Sequence, residues 1–126
     1  MASSAAGASL AGRRVLVVED EYLLADDMAQ ALRKLGAEVV GPVPTTDKAL
    51  ALLDSEPIDG AVLDINLRGQ MAFPVADVLR ERGVPFVFAT GYDQATVPSA
   101  YDGVPRWEKP FNTQDLVRAL PGIVRK

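Results

Sequence analysis

Short apolar runs alternate along the chain with segments whose apolar residues recur every three or four positions. The clearest runs cover residues 15–18, 60–64 and 85–89, and weaker ones cover 37–40 and 104–108. Since the clear runs lack the polar alternation of a half-exposed strand, they predict strands covered on both faces, as in a parallel sheet. The chain is therefore predicted to be an α/β domain whose five-stranded parallel sheet carries helices on both faces.

Capping and helix-breaking residues predict where the helices begin and end. Thr45 or Thr46 is suited to cap the second helix, and Asn112 is suited to cap the last one. Pro98 and Gly103 leave room for about one or two helical turns between the last two strands. The fourth helix is therefore predicted to be short.

Polar residues stand where the predicted strands end. They are Glu19, Asp20, Asp64, Thr90 and Lys109. Each one alone is typical of a solvated turn or of the first turn of a helix. The carboxyl ends of parallel strands meet at one edge of a sheet, where such domains bind their ligands. The topology therefore predicts that these side chains converge on one site.

The convergence of three carboxylates needs positive charge to balance it. If they converge, Glu19, Asp20 and Asp64 together carry three negative charges, which repel one another. A divalent cation and the Lys109 ammonium bring the sum to zero. Carboxylate, carbonyl and water oxygens suit a hard ion such as Mg²⁺. The remaining oxygen of Asp64 is then free to attack an electrophile.

Composition narrows the chemistry further. The 126 residues include no cysteine and no histidine, which excludes a disulfide framework, a thiolate nucleophile, a Ser-His-Asp triad and the usual zinc sites. The net charge is −4, and no basic run exceeds two residues, so nucleic acid is not an expected partner.

The length suits a single domain, which we expect to span residues 11–126 after a disordered tail at residues 1–10. The tail lacks the charged and apolar regions of a signal peptide, and no stretch is long and apolar enough to span a bilayer. These features predict a cytoplasmic protein without membrane partners.

Four short motifs, in this order and at these spacings, resemble the receiver domain of bacterial two-component response regulators. They are Glu19-Asp20, Asp64-Ile65-Asn66, Thr90-Gly91 and Lys109-Pro110-Phe111. The resemblance covers roughly residues 13 to 120. It implies a flavodoxin-like, doubly wound fold with strand order 2-1-3-4-5.

The resemblance also implies a role for each residue of the site. Asp64 is the expected phosphoacceptor, which takes a phosphoryl group from a phosphohistidine on a sensor histidine kinase. Mg²⁺ is expected on Glu19, Asp20, Asp64 and the backbone carbonyl of Asn66. The resemblance implies that Lys109 balances charge on the phosphoryl group, that Thr90 donates to it and switches the domain, and that the Lys109–Pro110 bond is cis.

The segment from Pro85 to Tyr92 resembles the signature of a narrower subgroup, the FAT GUY receivers. These are largely alphaproteobacterial, often stand-alone and partnered by HWE-type histidine kinases. Gly91 is expected to leave Asp64 open to phosphodonors. Asn66 and Tyr92 are expected to set how long the phosphoryl group lasts.

The sequence departs from the family pattern at one position. Arg106 stands three residues before Lys109, where most receivers carry an aromatic switch residue. Trp107 is expected on the opposite face of its strand, as a packing residue. Because Pro98 and Gly103 shorten the fourth helix, we also expect a mobile loop at residues 91–97, which becomes ordered on phosphorylation.

The leading hypothesis is a stand-alone phosphorylation-controlled interaction module, which is not a turnover enzyme and whose autodephosphorylation is left open. It binds a kinase and either a downstream protein or, as a phosphate sink, no further target. A degenerate receiver that works without phosphorylation is the alternative. A magnesium-dependent phosphatase or a Toprim-like enzyme fits poorly, since each needs an Asp-x-Asp pattern that is absent here.

Overall fold

The computed structural model describes residues 9–91 and 97–124. In chain order the elements are β1 (Arg14–Val18), α1 (Tyr22–Lys34), β2 (Glu38–Val43), α2 (Thr46–Ser55), β3 (Gly60–Asp64), β4 (Asn66–Leu67), β5 (Gln70–Met71), α3 (Phe73–Glu81), β6 (Phe86–Thr90), β7 (Arg106–Glu108) and α4 (Thr113–Ala119). Single 3-10 turns cover Ser99–Tyr101 and Leu120–Gly122.

Five strands form one parallel sheet in the order β2-β1-β3-β6-β7. Without the short strands β4 and β5, this is the 2-1-3-4-5 order that the resemblance implied, so the fold prediction is confirmed. The order of the strands reverses beside β1, which puts the carboxyl ends of β1 and β3 next to each other at the site edge.

Side chains of the central strands alternate between two apolar cores, one on each face of the sheet. Leu16 and Val18 of β1 point into the core under α2 and α3, whereas Val15 and Val17 point into the core under α1 and α4. All four are fully buried. This double burial is why the sequence run shows no polar alternation.

The predicted helix caps are present. Thr45 is the cap of α2, since its hydroxyl accepts from the Lys48 amide at 3.2 Å. The Asn112 side chain accepts from the Asp115 amide at 3.2 Å and begins α4. Between β6 and β7, the described residues hold only the 3-10 turn Ser99–Tyr101, which agrees with a shortened fourth helix.

The folded part of the chain begins earlier than predicted. Leu10, which the sequence placed in a disordered tail, is buried in the core beside α1, and its amide donates to Leu35 at 2.8 Å. Burial of an apolar side chain in this core lowers the free energy of the folded state relative to leaving the side chain in water. The boundary expected at residue 11 is therefore too late.

Two further features were not predicted. β2 continues beyond the apolar run at residues 37–40, through a cis Gly41–Pro42 bond, to Val43. After β3, the antiparallel strands β4 and β5 form a small hairpin that pairs Asn66 with Met71. This hairpin follows Asp64 directly and therefore borders the site.

No helix in residues 9–91 and 97–124 is long and apolar enough to cross a membrane.

Candidate functional site

The polar residues at the strand ends meet at the carboxyl edge of the sheet. Glu19 and Asp20 follow β1, Asp64 ends β3 and Thr90 ends β6. Parallel pairing sets Asp64 opposite Ala89, which directly precedes Thr90. Glu19, Asp64 and Thr90 are buried, although their types are usually exposed.

Lys109 connects the acidic residues. Its backbone amide donates to the Thr90 carbonyl at 2.8 Å, which fixes where the side chain leaves β7. Its Nζ lies 3.0 Å from Glu19 Oε2, 3.1 Å from Asp64 Oδ2 and 2.8 Å from Glu21 Oε1. One ammonium thus bridges three carboxylates, two of them buried.

This arrangement perturbs the pKa values of both partners. Burial, together with the charge of Glu19, raises the pKa of Asp64 from 3.8 to about 8, although Lys109 opposes the shift. Burial alone would lower the pKa of Lys109, but hydrogen bonds to Glu21 and Glu19 outweigh it and raise that pKa. Lys109 is therefore a permanent cation, whereas Asp64 needs further positive charge to ionise fully near neutral pH.

The residues present fit a hard divalent cation. Glu19, Asp20 and Asp64 each offer a carboxylate oxygen, and these oxygens lie within 4.8 Å of one another. Oε1 of Glu19 is buried without a hydrogen-bond partner. A buried carboxylate oxygen left unpaired is costly, and a metal ion would satisfy it. Oxygen-only ligands suit Mg²⁺ better than a transition metal.

The β4–β5 hairpin supplies a second set of contacts to the cluster. The amide of Asn66 donates to Asp64 Oδ1 at 3.1 Å, and its side-chain oxygen accepts from the Gly69 amide at 2.6 Å. Arg68, at the hairpin tip, places Nε 3.3 Å from Asp20 Oδ2. The hairpin thus orients Asp64 and covers Asp20.

Clefts open on both sides of the acidic cluster. One, of about 520 Å³, is lined by Glu21, Leu24, Gly91, Lys109, Pro110 and Phe111. A Cβ added at Gly91 would meet nothing within 4 Å, so this residue leaves the entrance open. Another cleft, of about 390 Å³, borders Glu19, Asp20 and Asp26. The Lys109–Pro110 bond is cis, as the resemblance implied.

Arg106, which departs from the family pattern, and its neighbour Trp107 make different contacts from β7. Trp107 packs into the core beside α1 and α4 and meets Phe111 edge-to-face at 6.3 Å between ring centroids, as expected of a packing residue. Arg106 pairs with Asp102 at 3.7 Å. Tyr92 and the predicted mobile loop around it fall largely outside the described residues.

Sequence reasoning missed two residues at the site, Glu21 and Arg68, and one aromatic residue of the core, Tyr101. Glu21 was not among the predicted site residues, yet it is the nearest carboxylate to Lys109. Arg68 was not singled out, although a Gly after a polar residue between short apolar stretches is a hairpin signal. Tyr101 is a buried aromatic that donates to Asp77 and stacks on Phe73 at 5.7 Å.

A parallel α/β domain with an acidic cluster and one lysine at its carboxyl edge describes a known class of signalling domain. The model of the response regulator receiver domain family matches residues 15–121. The chain belongs to this family. Receiver domains are phosphorylated by histidine kinases and are not, as a family, turnover enzymes.

Curated relatives are similar over most of this chain. The sensory transduction protein LytT of Bacillus anthracis is 33% identical over 111 residues, covering 85% of this chain and 45% of LytT. The transcriptional regulatory protein PdtaR of Mycobacterium tuberculosis is 31% identical, covering 86% of this chain and 55% of PdtaR. The chain thus spans about half the length of the curated relatives it matches.

Solved structures show the same fold. The solution structure of SdrG from Sphingomonas melonis Fr1 is 41% identical with a TM-score of 0.75, covering 86% of this chain and 92% of SdrG. The response regulator PhyR from Brucella abortus is 33% identical with a TM-score of 0.73, covering 90% of this chain and 47% of PhyR. SdrG has also been solved in a BeF3-activated conformation.

Proposed function

We propose that this domain accepts a phosphoryl group on Asp64 and that the phosphorylated form switches its contacts with other proteins. The observation that carries the proposal is the ion pair of 3.1 Å between Lys109 Nζ and Asp64 Oδ2 inside a buried acidic cluster. A buried aspartate beside a fixed ammonium is suited to stabilise charge that develops on a transferring phosphoryl group.

Mg²⁺ is the proposed cofactor, held by Glu19, Asp20 and Asp64, with the backbone carbonyl of Asn66 as a further ligand. Bound there, the ion supplies positive charge that neutralises phosphoryl oxygens. The unpaired Oε1 of Glu19 and the closeness of the three carboxylates support this assignment. The same positive charge opposes the burial that raises the pKa of Asp64.

The proposed reaction is a transfer from a phosphohistidine on a kinase. An Asp64 carboxylate oxygen forms a P–O bond while the P–N bond of the phosphohistidine breaks. The electron pair stays on the imidazole nitrogen, which takes a proton from solvent. Lys109 donates to a phosphoryl oxygen after transfer, because it already contacts the same carboxylate.

Thr90 is the proposed sensor of the phosphoryl group, since it ends the strand next to Asp64. Its hydroxyl would donate to the phosphoryl oxygen and draw the following residues toward the site. Gly91, Tyr92, Arg106 and Pro110 are proposed to modulate access to Asp64, phosphoryl lifetime and switching. Hydrolysis of the acyl phosphate by the domain itself belongs to this set of proposals.

The proposed donor is a sensor histidine kinase of the HWE type, and the proposed docking surface lies at the start of α1. Tyr22 and Leu23 are 80% and 78% exposed and directly follow the acidic residues of the site. Large apolar side chains are costly to leave in water, so a covering partner is favourable there. The phosphorylated domain is proposed to bind a downstream protein or, if it acts as a phosphate sink, to have no further target.

The experiment that tests the proposal is incubation with Mg²⁺ and a small phosphodonor, followed by intact mass. The wild-type chain should gain one phosphoryl group, and Asp64→Asn should gain none. Asp54→Asn, which removes an exposed carboxylate of α2, is the matched control and should behave as the wild type. Uptake by Asp64→Asn at the wild-type rate would rule Asp64 out as the acceptor.

Beryllofluoride separates this function from that of a degenerate receiver. With Mg²⁺, it should change the fluorescence of Trp107, the single tryptophan, which packs on Phe111 near Lys109. A chain that gains no phosphoryl group and shows no fluorescence change, yet still binds partners, would favour the degenerate receiver.

The docking surface is tested by comparing two donors. Tyr22→Ser and Leu23→Ser should slow transfer from a phosphorylated HWE-type kinase but leave the rate with the small phosphodonor unchanged. An equal loss with both donors would place the defect in the site and not in docking.

A further inference from the structure

Arg68 lies at the tip of the β4–β5 hairpin in a conformation that arginine rarely adopts. Its φ is 56°, and that of the next residue, Gly69, is 91°. Two successive positive φ values are typical of the two-residue type I′ loop, which favours Asn and Gly at its first position. Among the described residues other than glycine, Arg68 is the one with positive φ.

This loop directs the Arg68 side chain back over the acidic cluster. Its Nε lies 3.3 Å from Asp20 Oδ2, across a sequence separation of 48 residues. The Arg68 side chain is 80% exposed, whereas that of Asp20 is only 13% exposed. The exposed guanidinium of Arg68 therefore contacts one of the three carboxylates that are suited to hold a metal ion.

The pairing sets up a competition for one carboxylate. A guanidinium and a divalent cation are both attracted to Asp20, and a cation shared among Glu19, Asp20 and Asp64 would repel the guanidinium. The Arg68 side chain is largely exposed to solvent. Breaking its ion pair with Asp20 and moving the guanidinium into water therefore costs little free energy.

We infer that Arg68 lowers the affinity of the acidic cluster for Mg²⁺ and must leave Asp20 when the ion binds. The inference rests on the proposed Mg²⁺ site and deepens it. It makes the hairpin that follows the phosphoacceptor sensitive to occupation of the cluster, because the same hairpin orients Asp64 through the Asn66 amide.

The test is a Mg²⁺ titration of the purified chain without phosphodonor, followed by calorimetry or Trp107 fluorescence. Arg68→Gln should bind Mg²⁺ about two- to five-fold more tightly than the wild type, the range expected for release of one exposed ion pair. Arg33→Gln removes the same charge from the far end of α1 and should leave the affinity unchanged. Equal or weaker binding by Arg68→Gln would overturn the inference.

A measurement on the wild-type chain guards against a folding defect in the variant. The Arg68 Nε–H resonance should move toward the position of a solvated arginine as Mg²⁺ is added. A resonance that stays unchanged at saturation would show that the ion pair persists and that the inference is wrong.

The outcomes separate this inference from the proposed phosphorylation. If Mg²⁺ binds and Arg68 responds while no phosphoryl group is gained, the acceptor role of Asp64 fails and the inference stands. If Mg²⁺ does not bind the wild-type chain at all, the metal site and the role of Arg68 both fail.

Discussion

The two ends of the sheet carry clusters of similar charge but different character. At the amino end, Arg14 donates to Glu38 at 2.6 Å, to Glu56 and to the Pro57 carbonyl at 2.8 Å, while its backbone amide donates to Asp59 at 2.9 Å. At the carboxyl end, Lys109 and Arg68 pair with Glu19, Asp20, Glu21 and Asp64. Each cluster has two more carboxylates than cations.

Burial and hydrogen bonding make the difference between them. The Glu38 side chain is 64% exposed, so water screens the charges around Arg14. The side chains of Glu19 and Asp64 are 0% and 4% exposed, and Glu19 keeps an unpaired oxygen. Equal charge thus gives a solvated network of ion pairs at the amino end and, at the carboxyl end, the buried cluster that we propose binds Mg²⁺ and accepts a phosphoryl group.

Removal of the central cation of each cluster should give the largest contrast. Lys109→Gln should slow phosphorylation of Asp64 by a small donor about a hundredfold or more, because a preorganised charge at the transferring group is lost. Arg14→Gln should leave the rate unchanged. Intact mass against time measures both, and equal rates for the two variants would contradict the assignment of the site.

Stability should depend on pH through the carboxyl-end cluster. The pKa of Asp64 is raised from 3.8 to about 8 on folding, so the folded state binds its proton more tightly than the unfolded state. The resulting stabilisation is complete below pH 3.8 and is lost as pH rises through about 8, by at most about 1.4 kcal/mol per pH unit.

Denaturant unfolding in the presence of a chelator, at several pH values, measures this slope. Asp64→Asn should flatten it and gain stability over the wild type at pH 8. Asp59→Asn, at the amino-end cluster, should keep the slope. A slope that survives in Asp64→Asn would place the responsible group elsewhere.

Stability at the amino end should depend on Arg14 itself. Arg14→Gln should lower the free energy of unfolding by about 1 kcal/mol, because the half-buried guanidinium joins β1 to β2 and to the loop before β3. Arg33→Gln, which removes an arginine of α1, serves as the control in the same denaturant titration. An unchanged free energy of unfolding in Arg14→Gln would show that the ion pairs of Arg14 do not stabilise the fold.

The smallest effect is expected for an exposed member of the same cluster. Glu38→Gln should change the free energy of unfolding by no more than about 0.5 kcal/mol, since solvent screens its pair with Arg14. Denaturant titration measures this change. A loss of more than about 1 kcal/mol would mean that the exposure of a side chain does not predict how much its ion pair contributes to the free energy of unfolding.

Much of the fold could be predicted from local patterns. Continuous apolar runs predicted buried parallel strands, because residues 15–18 of β1 and 61–63 of β3 each pack into one of the two cores. The convergence of Asp20, Asp64 and Lys109 followed from the rule that parallel strands end at a common edge. The β4–β5 hairpin and the last three residues of β2 were not predicted from the sequence. Segments of two or three residues are too short to show a periodic pattern of apolar positions.

The amino-acid sequence by itself determined the class of fold and the residue types available for chemistry, since periodicity and composition are local properties of the chain. Only the tertiary structure decided that Glu21 and Arg68 join the site, that Leu10 belongs to the core and that one Glu19 oxygen is left unpaired. The physical reason is that the distances between side chains and their burial depend on how remote segments pack. Electrostatic interactions and pKa values depend in turn on those distances and on that burial.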